Sequence, residues 1–156
     1  MVSDCFVLIY RILGHKSVFF TRSKIVFHFT TFYISGTEVV MDCKAPYDVI
    51  TTPGITVISL NYPRYYPNNI NCQITFTFDA KVAIEFKGLF DTEEHDVLEV
   101  RDGDSSDSPL ISSISGREND KNGKTIESTG RSMTLVFHSN ISPVQYKGFK
   151  LIANEG

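Results

Sequence analysis

The sequence predicts an all-β protein, an antiparallel β-sandwich made of two sheets. Short segments rich in β-branched and aromatic residues recur along the chain, separated by clusters of Gly, Asn, Asp, Ser and Pro. The segment 73–78, QITFTF, alternates apolar and polar residues, as a strand with one buried face does. After residue 43 the sequence has no segment with the 3.6-residue periodicity of an amphipathic helix.

The other predicted strands follow at regular intervals. The segment 97–103, VLEVRDG, ends in Asp-Gly, a turn signal typical of hairpins. Strands of this length and spacing are typical of antiparallel sandwiches. The remaining predicted strands are 82–90 (VAIEFKGLF), 110–116 (LISSISG), 125–130 (TIESTG), 132–140 (SMTLVFHSN) and 148–153 (GFKLIA).

The chain divides into two parts of unequal length. Residues 1–42 are apolar with scattered Lys and Arg, and small residues occur near 35–36. We interpret 1–42 as a signal-like leader or a mis-assigned N-terminal extension, and 43–156 as the folded domain. A membrane-associated protein held by the apolar segment is the weaker alternative, because the chain has no run of 18 apolar residues.

Composition excludes some classes of function. The formal charge is −3 and Lys and Arg form no cluster, so we expect no nucleic-acid binding. A hydrophobic content of 42% supports a packed core.

The chain has three cysteines, Cys5, Cys43 and Cys72, and none has zinc-site spacing. One disulfide with a leftover thiol, or three reduced cysteines in a cytosolic protein, both fit this count.

Four segments in order resemble the CUB domain, a secreted β-sandwich module, over about 43–155. They are 55–72 (ITVISLNYPRYYPNNINC), 83–103 (AIEFKGLFDTEEHDVLEVRDG), 128–142 (STGRSMTLVFHSNIS) and 148–152 (GFKLI). The resemblance implies a CUB-like jelly roll and a secreted location. It also implies a disulfide between Cys43 and Cys72.

The sequence departs from the family in its second disulfide. His95 and Ser115 stand where the resemblance implies two further cysteines. Both are missing together, as expected if that bridge was lost as a unit.

The resemblance also implies a calcium site formed by Tyr66, Glu93, Asp96 and Asn140. Carboxylates supply the oxygen ligands that Ca²⁺ needs, but Asn140 stands where the family has an Asp and removes one charge. We therefore expect weak binding, with a Kd of about 10⁻⁴–10⁻³ M. Asn140 also begins an N-x-S sequon, which predicts glycosylation in a secreted protein. A single molecule can use Asn140 for only one of these roles.

The predicted ligands lie in an acidic segment, 91–107, which has eight carboxylates and one Arg. Its residues 102–107 have the composition of a solvated turn. Asp91 and Glu94 are predicted to support the calcium site and to contact a partner. An acid–base pair from Glu93, Glu94 and Asp96 is disfavoured, because no nucleophile or base is associated with them.

Tyr62 and Tyr65 are predicted to contact a partner at the calcium end, since tyrosine offers both apolar area and a hydroxyl group. A packed loop that supports the sandwich is the alternative for these residues.

The sequence as a whole predicts a non-catalytic extracellular module that binds a protein or glycan partner, with Ca²⁺ as the candidate cofactor. The alternative is an accessory domain of a larger secreted protease or lectin-type protein.

Overall fold

The computed structural model describes residues 37–117 and 122–156, together with two short strands, β1 (Phe20–Thr21) and β2 (Lys24–Ile25). The chain divides into two units, 1–34 and 35–156. In the first unit, β1 and β2 pair antiparallel. Most of the predicted leader, with Cys5 and the small residues near 35–36, lies outside the described residues.

The second unit consists of two five-stranded sheets. The first has the order β10-β7-β12-β5-β3 and the second has the order β4-β6-β11-β8-β9. Their strands are β3 (Glu38–Val40), β4 (Asp48–Ile50), β5 (Ile55–Ile58), β6 (Asn71–Thr77), β7 (Val82–Phe86), β8 (Val97–Arg101), β9 (Leu110–Ile114), β10 (Thr125–Glu127), β11 (Ser132–His138) and β12 (Lys150–Glu155).

The predicted all-β sandwich is confirmed. Most strand pairs are antiparallel, but the edge strands β3 and β4 pair parallel with β5 and β6, so both sheets are mixed. Across the described part of the chain, no helix is long and apolar enough to cross a bilayer.

Strand β8 shows why these segments form strands. Leu98 and Val100 are buried, while Val97, Glu99 and Arg101 on the other face are partly exposed. Because side chains alternate between the faces of a strand, this pattern buries one row and leaves the other to solvent. On the partly exposed face, the carboxylate of Glu99 accepts a hydrogen bond from the guanidinium of Arg101 at 2.6 Å.

An aromatic cluster joins the two sheets in the core. Phe137 on β11 packs edge-on against Phe149, which directly precedes β12, with ring centroids 5.3 Å apart. Phe149 stacks on Phe90 at 5.7 Å, and Phe137 packs edge-on against Tyr66 at 5.2 Å. All four side chains are buried, so the cluster contributes both hydrophobic burial and favourable ring geometry. It also places Tyr66 at the margin of the core, next to the loops of the site.

A disulfide and a buried methionine attach the start of the domain to the rest of the sandwich. Cys43 and Cys72 form a disulfide over a separation of 29 residues, which stabilises the fold by about 3–4 kcal/mol in the chain-entropy model. Met41 is fully buried, and its N–H donates to the carbonyl oxygen of Ile58. The sandwich therefore includes β3 and Met41, which precede the boundary predicted at residue 43.

We expect Phe137→Ala to lower the free energy of unfolding by about 3–5 kcal/mol, because it leaves a cavity where the two sheets meet. Val49→Ala on edge strand β4 is the control. Val49 is 61% exposed, so its truncation should change the free energy by less than about 0.5 kcal/mol. Urea unfolding followed by circular dichroism measures both. A loss below about 1 kcal/mol for Phe137→Ala would contradict the central role of this cluster.

Candidate functional site

Three loops at one end of the sandwich carry the predicted ligands. Tyr66 lies in the connection between β5 and β6, Glu93 and Asp96 lie between β7 and β8, and Asn140 follows β11. Strand β11 is hydrogen-bonded to both β6 and β8 in the second sheet. Since β11 ends beside the start of both neighbours, the connections before β6 and β8 come close to Asn140.

Asp96 is the centre of this arrangement. It is only 2% exposed, and both of its carboxylate oxygens accept hydrogen bonds. Oδ2 accepts from the Tyr66 hydroxyl at 2.6 Å, and Oδ1 accepts from the backbone N–H of Asn140 at 2.8 Å. A buried carboxylate is tolerated when donors replace its lost water, and here two loops supply those donors.

The Tyr66 hydroxyl connects Asp96 with Glu93. Besides donating to Asp96, its oxygen accepts a hydrogen bond from the backbone N–H of Glu93 at 3.1 Å. Burial raises the pKa of Tyr66 far above its ordinary value, and its hydrogen bond to Asp96 raises that pKa further. The phenol is therefore neutral, and it acts as a fixed donor to Asp96.

Glu93 contributes an unusual polar atom. Its Oε2 is buried and accepts no hydrogen bond from any residue that the structure describes. A buried oxygen without a donor is costly, and such atoms are rare in folded proteins. The backbone N–H of the same residue donates to the Tyr66 hydroxyl, which in turn donates to Asp96, so Glu93 and Asp96 are linked through this hydroxyl.

Hydrogen bonds hold the Glu93–Asp96 loop where the second disulfide is missing. The buried Thr92 donates its N–H to the Gly116 carbonyl at 3.1 Å, and its hydroxyl approaches the same oxygen at 3.3 Å. In return, Gly116 N–H donates to the carbonyl of Glu93 at 3.2 Å. His95 is exposed, and Ser115 is partly buried. The loop is thus joined to the segment after β9 without a covalent bond.

Asp91 has a structural position rather than an accessible one. It is 3% exposed, its Oδ1 accepts from Arg117 Nε at 2.7 Å, and its Oδ2 accepts from the backbone N–H of Lys147 at 3.1 Å. The bond to Asp91 raises the pKa of Arg117. Both carboxylate oxygens of Asp91 therefore already accept hydrogen bonds within the domain, and neither is left unpaired for the partner contact that the sequence predicted.

Gly148 is required beside this anchor. It has a positive φ of 84°, and its N–H and C=O both bond to the backbone of Asp91. A Cβ at this position would collide with the Ser59 hydroxyl and would contact the Tyr66 ring. Only glycine fits both the backbone conformation and the close approach.

The remaining predicted residues face solvent. Glu94 and Asn140 are exposed, and Tyr65 is 48% exposed. A groove of about 510 Å³ lies between the segment before Tyr66 and the segment before Tyr146. The Tyr66 N–H donates to the Tyr146 carbonyl oxygen and so joins these two segments. The lining residues are Asn61, Tyr62, Pro63, Arg64, Tyr65 and Gln145. The sequence predicted a surface role for the two tyrosines but not for Arg64 and Gln145, although Arg64 stands between the tyrosines in the sequence.

The donor set suits a hard cation. In the ranges 37–117 and 122–156, no three His, Cys, Asp or Glu side chains gather as a metal site, and this set has two carboxylates. Ca²⁺ also accepts neutral oxygens and water, so a phenol and an amide beside two carboxylates are compatible with it. The unpaired oxygen of Glu93 is the atom that a cation would satisfy.

The fold and the site together define a disulfide-bonded β-sandwich whose loop end carries a buried, hydrogen-bonded carboxylate. The chain belongs to the CUB domain family, whose profile matches residues 43–152. Its disulfide joins the two cysteines that the resemblance implied.

Two curated relatives illustrate the similarity. Tolloid-like protein 2 of Mus musculus is 34% identical over 121 residues, and inactive serine protease PAMR1 of Bos taurus is 35% identical over 125 residues. These alignments cover 71% and 73% of this chain but only 11% and 16% of the relatives.

Among solved structures, the MASP-1 CUB2 domain bound to Ca²⁺ superposes with a TM-score of 0.57. It is 22% identical and covers 69% of this chain and 96% of its own. The extracellular region of zebrafish Gpr126/Adgrg6 superposes with a TM-score of 0.55 at 29% identity, covering 68% of this chain and 14% of its own.

We expect Tyr66→Phe to lower the free energy of unfolding by about 1.5–3 kcal/mol, because the buried Asp96 carboxylate loses a donor. Tyr65→Phe is the matched control, since the neighbouring side chain is 48% exposed and should tolerate the change within about 0.5 kcal/mol. Chemical denaturation at neutral pH compares the two variants. Equal losses would show that the Tyr66 hydroxyl has no special role.

The raised pKa of Tyr66 also predicts how stability depends on pH. The pKa of Tyr66 is higher in the folded state than in the unfolded state, so its contribution to the free energy of unfolding is complete below the unfolded-state pKa of about 10. Above that pH the unfolded state releases the phenol proton first, and this contribution is lost. The difference in unfolding free energy between wild type and Tyr66→Phe should therefore narrow above pH 10. Denaturation of both proteins from pH 8 to pH 11 measures this difference, and a constant or widening gap would contradict it.

Proposed function

We propose that this chain is a non-catalytic extracellular binding module that recognises a protein or glycan partner, and that Ca²⁺ organises its binding end. The single observation that carries the proposal is the unpaired, buried Oε2 of Glu93 in the loop of the buried Asp96 carboxylate. Two carboxylates in one short loop repel each other, and a divalent cation would offset both charges.

Glu93, Asp96 and Tyr66 would hold the ion, and the exposed amide of Asn140 would complete the protein ligands. The ion would supply positive charge there, which would offset the repulsion between the Glu93 and Asp96 carboxylates, and water would complete its coordination. The MASP-1 CUB2 domain, which shares this fold at low identity, was solved with Ca²⁺ bound and supports this choice of ion.

The surface beside the ion would contact the partner. Tyr65 is exposed next to the groove, and Arg64 offers a planar set of donors within it. The exposed Glu94 adds negative charge to the loop between β7 and β8. Tyrosine and arginine are enriched among the residues that dominate binding energy at interfaces, so this end of the sandwich suits recognition.

The extracellular location rests on two supports. A disulfide persists in oxidising compartments, and Cys43–Cys72 is one. The solved extracellular region of zebrafish Gpr126/Adgrg6 contains the same fold. The alternative is an accessory domain of a larger secreted protein, which would use this surface for the same binding role. The chain spans only a small share of each relative, and this favours the alternative.

The test is a Ca²⁺ titration of the full chain produced in the bacterial periplasm, where the disulfide can form. We expect binding heat with a Kd of about 10⁻⁴–10⁻³ M. At ten times the Kd, Ca²⁺ should raise the free energy of unfolding by about 1.4 kcal/mol. Mg²⁺ at the same concentration should have little effect, because its octahedral geometry is more demanding.

Glu93→Gln and Glu94→Gln form the matched pair of variants. Glu93→Gln should abolish the Ca²⁺ response, and without Ca²⁺ it should be at least as stable as wild type, because it removes one of the two carboxylates that repel each other in this loop. Glu94→Gln should retain the response, since its side chain is exposed. A wild-type chain that gives neither heat nor stabilisation would refute the calcium part of the proposal.

A further inference from the structure

Asn140 has separate roles for its backbone and its side chain. Its N–H donates to Asp96 Oδ1 at 2.8 Å, and its carbonyl accepts from Asn69 N–H at 3.0 Å. The backbone is thereby held on both sides. The side chain is exposed, and among the described residues its amide group makes no hydrogen bond. The neighbouring Ile141 is 80% exposed, so the amide stands on an open part of the loop.

The same residue starts the only N-x-S/T triplet in the chain, Asn140-Ile141-Ser142. The segment is a loop rather than a strand, which is where such acceptors are found. The Ser142 hydroxyl accepts a hydrogen bond from Val144 N–H at 3.2 Å, which bends the chain just after the acceptor. Asn68 donates to the Ser142 carbonyl at 2.6 Å and fixes the other side of this bend.

We propose that Asn140 accepts an N-linked glycan and that, in the molecules that carry it, this glycan excludes Ca²⁺ from the Glu93–Asp96 loop. The inference rests on the proposed function, because it assigns a control to that calcium site. In the modification, Asn140 Nδ2 forms a bond to the anomeric carbon of a lipid-linked oligosaccharide. The bond from that carbon to the lipid diphosphate breaks, and Nδ2 loses one proton.

The glycan would exclude Ca²⁺ because its first sugar is attached beside the atom that would bind the ion. Asn140 Oδ1, the atom that would contact the cation, shares one carbon with Nδ2, the atom that would carry the sugar. A Ca²⁺ ion lies about 2.3–2.6 Å from its ligand oxygen, so the first sugar ring would occupy the space of the ion's other ligands. Because the Asn140 N–H donates to Asp96 Oδ1 at 2.8 Å, the backbone of the acceptor residue lies beside this carboxylate, and the sugar would begin next to the Glu93–Asp96 loop. With the amide lost, only two protein carboxylates and a phenol remain.

The experiment compares full-length chains secreted from a eukaryotic cell line. Ser142→Ala removes the sequon and keeps Asn140, whereas Ser142→Thr keeps both the sequon and the hydroxyl group. Asn140→Asp removes the sequon and supplies a charged ligand. Intact mass reports occupancy, and calorimetry and thermal unfolding report Ca²⁺ binding. Wild type is also treated with peptide N-glycosidase, which removes the glycan and leaves aspartate at the acceptor position.

We expect wild type and Ser142→Thr to be glycosylated, and the molecules that carry the glycan to give no Ca²⁺ response, whereas their unmodified molecules should respond as Ser142→Ala does. Ser142→Ala should be unmodified and should bind Ca²⁺ weakly, and Asn140→Asp should bind about tenfold more tightly, because charge count sets the affinity. Wild type treated with the glycosidase should match Asn140→Asp.

Two results would overturn the inference while the proposed function stands: a wild-type mass without a glycan, or a glycosylated chain that binds Ca²⁺ as tightly as Ser142→Ala. A lack of Ca²⁺ binding by every form, Asn140→Asp included, would instead overturn the calcium site itself and the exclusion with it. The glycan mass and the Asn140→Asp titration therefore separate the two failures.

Discussion

The loop end of the sandwich depends on one buried carboxylate. Asp96 accepts hydrogen bonds from the Tyr66 hydroxyl and from the Asn140 backbone, so it joins three connections that are far apart along the chain. Tyr66 in turn packs against Phe137 in the core. A charge placed here would be costly without those donors, and the donors would be unpaired without the charge. Because each partner satisfies the other, the loops adopt one arrangement, in which the Tyr66 hydroxyl also accepts a hydrogen bond from the backbone N–H of Glu93.

Two of the eight carboxylates in the segment 91–107 form ion pairs within the domain, and a third is held by hydrogen bonds. Asp91 is paired with Arg117, Glu99 is paired with Arg101, and Asp102 accepts two hydrogen bonds from Thr129 that lower its pKa. The segment is therefore not a continuous negative surface, although its composition suggests one. What remains near the loop end is the partly exposed charge of Glu93 and Glu94 and the buried charge of Asp96. Asp102, predicted as part of a solvated turn, is instead tied to the segment before β11.

Alternation and turn residues were enough to predict the central strands, because burying one face leaves a local pattern. Strands β8 and β11 lie within their predicted segments, and β6 begins two residues before its predicted segment. The edge strands β3 and β4 were not predicted, because three residues are too few to show a period, and their parallel pairing depends on distant partners. Similarly, the resemblance predicted Tyr66, Glu93 and Asp96 as ligands, and the structure places these residues in two loops joined by hydrogen bonds. The buried anchoring roles of Asp91 and Thr92 arise from tertiary contacts with the segment after β9, which leave no local signal.

The backbone and the side chain of Asn140 have different roles, so the side chain can change while the loops keep their arrangement. The interaction that holds Asp96 uses the backbone N–H of residue 140, which any residue except proline supplies. The side chain at 140 can therefore change in charge or carry a modification while Tyr66, Asp96 and the loop keep their positions. In the proposed calcium site, stability of the loop end and affinity for the ion would then depend on different atoms of one residue. This separation allows a neutral amide at position 140, which a site that relied on that side chain for its geometry would not tolerate.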